Sequence, residues 1–168
     1  RLYTGLIGLS LGAAAYENAK HYSKERIQGT SISKIGDSES GKEAIVNHPA
    51  VRFNLFGMKA KVEAMRALLY FTAFQFDLEK IAKNNEDKIK AQNMIDLLTP
   101  MCKGWCTEVG LDVVQTGIQI FGGVGYTKDF PMEQFLRDAR IAPIYEGTTD
   151  IQALDLVGRK MLKQKGML

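Results

Sequence analysis

The residues best suited to chemistry lie in one run near the end of the chain, Arg137-Asp138-Ala139-Arg140-Ile141-Ala142-Pro143-Ile144-Tyr145-Glu146-Gly147-Thr148-Thr149-Asp150-Ile151-Gln152. Pro143 disfavours helical backbone at Ala142, so the spacing predicts a helix that stops there. Gly147 lets the chain reverse with little steric restriction. Thr148 or Thr149 can cap a following helix, and Thr149 with Gln152 fits the capping-box spacing. Glu146 then stands just outside a helix N-terminus, on backbone constrained from both sides. A carboxylate held that way can work as a general base, or it can do no more than complement a helix dipole. Spacing alone leaves both readings open.

Three further stretches have chemical spacing. In Gln119-Ile120-Phe121-Gly122-Gly123-Val124-Gly125-Tyr126, the glycines can bring backbone N–H groups up to an anion or a flat ring, or simply end a helix. This is not a dinucleotide fingerprint, because Lys128 stands where its last glycine belongs. Gly36-Asp37-Ser38-Glu39-Ser40-Gly41-Lys42 has P-loop spacing, but Glu43 follows where a metal-binding Ser or Thr is needed. Asp37 and Glu39 would also repel phosphate, and no hydrophobic strand leads in, which excludes an NTPase. Cys102 and Cys106 lack a second pair and both histidines are distant in sequence. We read them as small residues on a helix face and predict no metal site.

The elements that must position these residues read as helices. Of the 168 residues 45% are hydrophobic and 24% charged, ordinary values for a globular protein, and prolines number only four. A net charge of +3, with scattered Lys and Arg, gives no basis for nucleic-acid binding. Residues 2 to about 26 are predicted as one helix with a buried stripe of Leu6, Leu9, Ala13, Tyr16 and Ala19. Gly5, Gly8 and Gly12 would admit a close neighbour. The polar stretch 28–47 is a loop. Pro49 suits a first helical position, and a second helix runs to about residue 84 with Phe53, Phe56, Ala60, Ala64, Ala67, Leu68, Phe71, Leu78 and Ile81 as its buried face. The aromatics at 70–76 are read as core filling. After a polar turn at 84–87, a third helix meets Pro100, expected to kink or break it. It resumes through Trp105, Val109, Val113, Val114 and Ile118 to about residue 120.

A last helix spans about 150–163, with Arg159, Lys160, Lys163 and Lys165 at its basic end. The expectation is an all-α, antiparallel four-helix up-down bundle forming a single domain over 1–168. The apolar opening, 2–16, is too short to span a bilayer. Arg1, with no initiator Met before it, suggests a piece of a longer chain.

The run from Arg137 to Gln152 resembles the C-terminal signature of the acyl-CoA dehydrogenases. Gln-x-x-Gly-Gly-x-Gly-Tyr at 119–126 resembles a second signature of that family, and Tyr22-Ser-Lys-Glu-Arg26-Ile-Gln28-Gly29 a third. The long loop between the first two helices and the sequence at 151–160 look like the larger members, those similar to 3-methylmercaptopropionyl-CoA dehydrogenase. The resemblance implies a C-terminal helical domain whose N-terminal helical and middle β domains are absent here. It implies α,β-dehydrogenation of an acyl-CoA thioester, with Glu146 as the α-proton base, its pKa raised by burial against acyl chain and flavin, and hydride passing to flavin N5. Tyr145 and Gly147 would line the substrate. For FAD it implies Gln119, Gly122 and Gly123 at the ADP part of a cofactor bound mainly by a neighbouring subunit, and Arg26 at the pyrophosphate. Gln28, His48, Thr148 and Asp150 complete the cofactor set.

Departures from the family pattern are Gly29 directly after Gln28 where many relatives have Phe-Gly, Pro49 after His48 where many have Gln, and an acidic Asp150. Implied partners are an electron-transfer flavoprotein and further copies in a homodimer or homotetramer. The implied location is the cytoplasm of a bacterium, or the mitochondrion if the source is eukaryotic. Two other readings remain at this point: an assembly module without activity of its own, and an acyl-CoA or nitroalkane-type oxidase of the same fold.

Overall fold

The computed structural model describes residues 1–34, 36 and 41–162. The stretch 37–40 of the P-loop-like segment and Lys163 and Lys165 of the basic tail lie outside the described residues. Among the described residues the fold has five α-helices: α1 (Leu2–Glu25), α2 (Pro49–Ile81), α3 (Asn85–Phe121), α4 (Met132–Ile141) and α5 (Thr149–Leu154). No helix among the described residues is long and apolar enough to cross a membrane.

Helix direction follows from which residues meet. Gly5 lies against Cys102, Gly8 against Cys106 and Gly12 against Gly110, so α1 and α3 run parallel. Leu69 meets Gly5 whereas Met58 meets Gly117, so α2 runs antiparallel to both. Met132 packs on Gly117 at the far end, and Ile141 and Tyr145 return beside Tyr3 and Leu6. The first four helices therefore alternate up, down, up and down. The fourth member is the short α4, not the last helix as the sequence suggested. The terminal segment instead packs on α3 as α5 and continues as a π-helix over Asp155–Leu162, starting at the buried Asp155.

The core lies between α1, α2 and α3, and the small residues explain how closely they pack. A side chain at Gly5 would stand 2.7 Å from the Cys102 carbonyl oxygen, a distance real Cβ atoms do not tolerate. Glycines at 5, 8 and 110 thus let two helix backbones touch. The buried face of α1 is this small-residue stripe, Thr4, Gly5, Gly8, Leu9, Gly12, Ala15, Ala19 and Ser23. The periodic reading had placed Leu6 inside, but it is 40% exposed.

A second correction concerns α2. Its buried residues are Leu55, Met58, Val62, Met65, Leu69, Thr72 and Gln75. Most of the expected face is turned outward instead, with Phe53 at 77%, Phe56 at 73% and Phe71 at 49% exposure, while Leu68 packs partly against the core. Tyr70 and Phe74 are also exposed, so the aromatics at 70–76 do not fill this chain's core. The helix has two apolar faces, and periodicity cannot rank them. Burial of the inner set supplies the hydrophobic driving force, roughly 1.5–3 kcal/mol for each large side chain fully covered.

Pro49 opens α2 as predicted, and Asn84 caps α3 by accepting from the Asp87 N–H at 2.8 Å. Pro100 does not break α3, which runs on through it. One lost backbone bond is outweighed because α3 is packed by α1, α2 and α5 along its length. Cys102 and Cys106 are free and buried, as read from the sequence. Burial pushes the Cys106 thiol up to about 12, so it stays protonated.

Candidate active site

Glu146 sits on the tight connection between α4 and α5. That connection is not built as Pro143 led us to expect. Ala142 keeps helical backbone, φ −60° and ψ −41°, despite preceding a proline. The turn continues through bonds from the Ile144 and Tyr145 N–H groups to the Ile141 carbonyl. The buried Ala142 and Pro143 lock it against the bundle. Glu146 then takes the left-handed conformation, φ 55°, the one described non-glycine residue to do so, and Gly147 follows at φ 94°. For a residue with a side chain this backbone is disfavoured and has to be held by its surroundings.

Three helices supply the holding groups. From α1, the Thr4 hydroxyl donates to Glu146 Oε2 at 2.5 Å. From α3, the fully buried Lys103 donates from Nζ to the Pro143 carbonyl at 2.8 Å. From α5, Gln152 Nε2 donates to the Glu146 and Gly147 carbonyls at 3.3 and 3.2 Å. Gln152 is itself buried, and its Oε1 has no hydrogen-bond partner. The expected Thr149–Gln152 capping box is therefore not formed. Thr148 occupies the N-cap position without a side-chain cap bond, and the Thr149 hydroxyl bonds Glu108 instead. Sequence reasoning missed Thr4, Lys103 and Gln152 as site residues. The one sequence signal was a lysine set among Cys102, Gly104, Cys106 and Thr107 on an otherwise uncharged helix stretch.

The Glu146 side chain is about half exposed, at 51%. The Thr4 hydroxyl bond is the main cause holding its carboxyl below the usual range, and the Lys103 ammonium adds to it. In this chain the carboxylate is ionised and accessible, and the pKa-raising burial implied by the resemblance would have to come from groups laid over it. Tyr145 is half-buried beside Glu146 and lines a groove with Tyr3, Leu6, Ile7 and Leu11. Gly147 and Asp150 belong to the same end of the bundle, Asp150 in the exposed first turn of α5.

The other predicted residues gather at the opposite end. Arg26 caps α1 with its backbone N–H on the Tyr22 carbonyl, and its exposed guanidinium donates to Gln28 Oε1 at 3.4 Å. His48 Nε2 lies 2.8 Å from the Gln28 carbonyl, and Gly29 adopts φ 71° alongside. Loop 28–47 is closed by an isolated antiparallel bridge between Ile27 and Ala44. Glu43 anchors it, accepting from the Ser31 N–H at 2.8 Å and from Lys34 and Asn47. Gln119 is exposed on the last turn of α3, which Gly122 ends at φ 65°. Phe121 stacks on Tyr22 with centroids 4.2 Å apart, tying this end of α3 to Arg26's helix.

Gly125 has an internal reason to be glycine, since a Cβ there would meet Phe121 at 2.7 Å. Gly123 has none, because its Cβ would point into open space. Thr4 and Arg26 are separated by the length of α1, about 33 Å at 1.5 Å per residue. Among the described residues no cluster of His, Cys, Asp or Glu suits a metal.

The family described as "Acyl-CoA dehydrogenase, C-terminal domain" matches residues 1–162. The chain belongs to the acyl-CoA dehydrogenase family. It is 41% identical over 166 residues to 3-methylmercaptopropionyl-CoA dehydrogenase of Ruegeria pomeroyi, a match covering 99% of this chain and 28% of that relative. An FAD-complexed acyl-CoA dehydrogenase from Bacillus anthracis superposes with a TM-score of 0.81 at 26% identity, over 100% of this chain and 28% of that one. Caenorhabditis elegans ACDH-11 in complex with C11-CoA superposes with a TM-score of 0.80 at 26% identity, over 94% of this chain and 24% of that one. The chain thus spans 28% of the length of the curated relative it matches at 41% identity. The all-α fold expected of an acyl-CoA dehydrogenase C-terminal domain is the fold observed.

Proposed function

We propose that the protein carrying this domain is an FAD-dependent acyl-CoA dehydrogenase in which Glu146 removes the substrate α-proton. The observation that carries this reading is the conformation of Glu146. An ionised, half-exposed carboxylate is held on a left-handed turn by groups from three different helices. A dipole-neutralising glutamate needs none of that support, whereas a base must be positioned to within fractions of an ångström. Tyr145 and the apolar groove beside it would take the substrate next to the base, with Gly147 letting it approach the turn.

The residues present suit FAD. Arg26 offers an exposed guanidinium to a pyrophosphate, and Gly123 leaves open backbone where a side chain would otherwise stand. Gln119, Gly122, Gln28 and His48 complete that end, with Thr148 and Asp150 on the Glu146 side. Bound flavin would supply the two-electron acceptor for the β-hydrogen. Because Arg26 and Glu146 lie at opposite ends of α1, we read the Arg26 end as serving a flavin held mainly by a neighbouring subunit. The outward aromatic face of α2 supports such assembly into a dimer or tetramer. An electron-transfer flavoprotein is the proposed electron acceptor.

The test uses the full-length protein carrying this domain. Purified with FAD, it should turn over acyl-CoA with a flavoprotein or dye acceptor and react slowly with oxygen, and Glu146→Asp should retain partial activity. Rapid peroxide formation would instead assign it to the oxidases. Absence of any acyl-CoA oxidation would overturn the reading.

A further inference from the structure

Lys103 on α3 is the largest fully buried side chain among the described residues. A methionine would fill the same volume without the cost of taking an ammonium out of water. Its bond is made to a backbone carbonyl, that of Pro143, three residues before the base. The turn it grips is the strained one, with Glu146 at φ 55° and Gly147 at φ 94°. From the other side Gln152 donates to the Glu146 and Gly147 carbonyls of the same turn. We infer that Lys103 is a positioning residue for the Glu146 base: its ammonium ties the 143–147 turn to α3, so that the carboxylate keeps its place when substrate is drawn across it. This inference rests on Glu146 being the base.

The same ammonium also biases the charge of the base. Burial lowers the Lys103 pKa, while Glu108 and Glu146 favour its charged form and Arg1 opposes it. From α3, the Lys103 ammonium faces Glu146 and stabilises its carboxylate. A side chain that only filled space would have neither effect.

The test compares Lys103→Met and Lys103→Gln in the full-length, flavin-loaded protein, with Glu146→Gln alongside. Single-turnover bleaching of the flavin by an acyl-CoA is followed across pH. Lys103→Met should keep its flavin and its acyl-CoA affinity and bleach ~10–100-fold more slowly, the cost of a base misplaced by about an ångström. Lys103→Gln, which keeps a donor, should lose less. In both variants the acidic limb of the rate profile should move to higher pH, because the cation that favours the carboxylate is gone. Bleaching within twofold of wild type with an unmoved acidic limb would overturn the inference. That outcome is read from Lys103→Met, or from Lys103→Gln if the Met variant does not retain flavin. Undiminished bleaching in Glu146→Gln is a different failure, since it removes the base itself and leaves Lys103 a structural residue.

Discussion

Thr4 and Glu146, 142 residues apart in sequence, are joined by a 2.5 Å hydrogen bond from the threonine hydroxyl to Oε2. The first turn of α1 thereby reaches the turn before α5, and the beginning of the bundle helps set the charge at its end. Because this bond is the main cause of the lowered Glu146 pKa, the carboxylate forms at lower pH than an ordinary one.

Thr4→Val keeps the shape and removes the donor. The base should then need a higher pH to ionise, so the acidic limb of kcat/KM in the full-length protein should move upward, while Thr4→Ser should leave it in place. A pH–rate profile for the three proteins checks this, and an unmoved limb in Thr4→Val would show that the bond does not tune the base.

The glycines of the α1–α3 contact should be intolerant of a single methyl group. Gly8→Ala would press a Cβ on the Cys106 carbonyl, and Gly110→Ala would do the same to Gly8. Each should destabilise the bundle by about 1–3 kcal/mol, the usual cost of overpacking. Gly57 lies in α2 with nothing within 4 Å of a Cβ, so Gly57→Ala should stabilise by ~0.5–1 kcal/mol. Thermal melts of the three variants give the signs directly.

Glu43 should hold the loop that carries Gln28 and leads to His48. The Ser31 N–H is the main cause holding its carboxyl below the usual range. Since its pKa is lowered on folding, the anchoring is present at neutral pH and is lost as pH falls through the lowered value. Glu43→Gln should speed amide exchange at Ser31 about tenfold at pH 7 and weaken FAD retention in the full-length protein. Exchange at wild-type rates would mean that the Ile27–Ala44 bridge suffices to close the loop.

The outward face of α2 should be an assembly surface. Phe53, Phe56 and Phe71 are exposed on α2, and large apolar side chains gathered on one helix side mark an interaction surface. Sedimentation of the 168-residue chain should show dimers or tetramers, and Phe53→Glu with Phe71→Glu should shift them to monomer. A monomeric wild-type chain at micromolar concentration would contradict this.

Much of the fold was legible because the three long helices are bounded by strong local signals. Pro49 opens α2, a polar turn separates α2 from α3 and Gly122 ends α3, each by backbone chemistry that needs no tertiary context. Which face of each helix is buried was legible only in part. On α1, the close approach expected at Gly5, Gly8 and Gly12 is the tightest contact and Leu9 and Ala19 are buried as expected, but Leu6 of the same stripe is exposed. On α2, phenylalanine carries the strongest signal yet points away from this chain's core. Pro100 and Pro143 were over-read for the same reason, since both are buried where packing outweighs the local penalty. At the candidate site, Glu146 was singled out through the resemblance carried by its neighbours in sequence. Thr4, Lys103 and Gln152 were not, because two of them reach it only through folding and Gln152 takes a partner other than the cap its spacing suggested.

The central claim is that Glu146 is the α-proton base. It is tested most directly by mixing the full-length flavoprotein anaerobically with an acyl-CoA, protiated or deuterated at the α-carbon, and following flavin bleaching in a single turnover. Wild type should bleach more slowly with the deuterated substrate. Glu146→Gln, with flavin and acyl-CoA still bound, should bleach at least ~10²–10⁴-fold more slowly, the range expected for loss of a general base. Bleaching of Glu146→Gln within a fewfold of wild type, with the same isotope sensitivity, would contradict the account and place the base elsewhere.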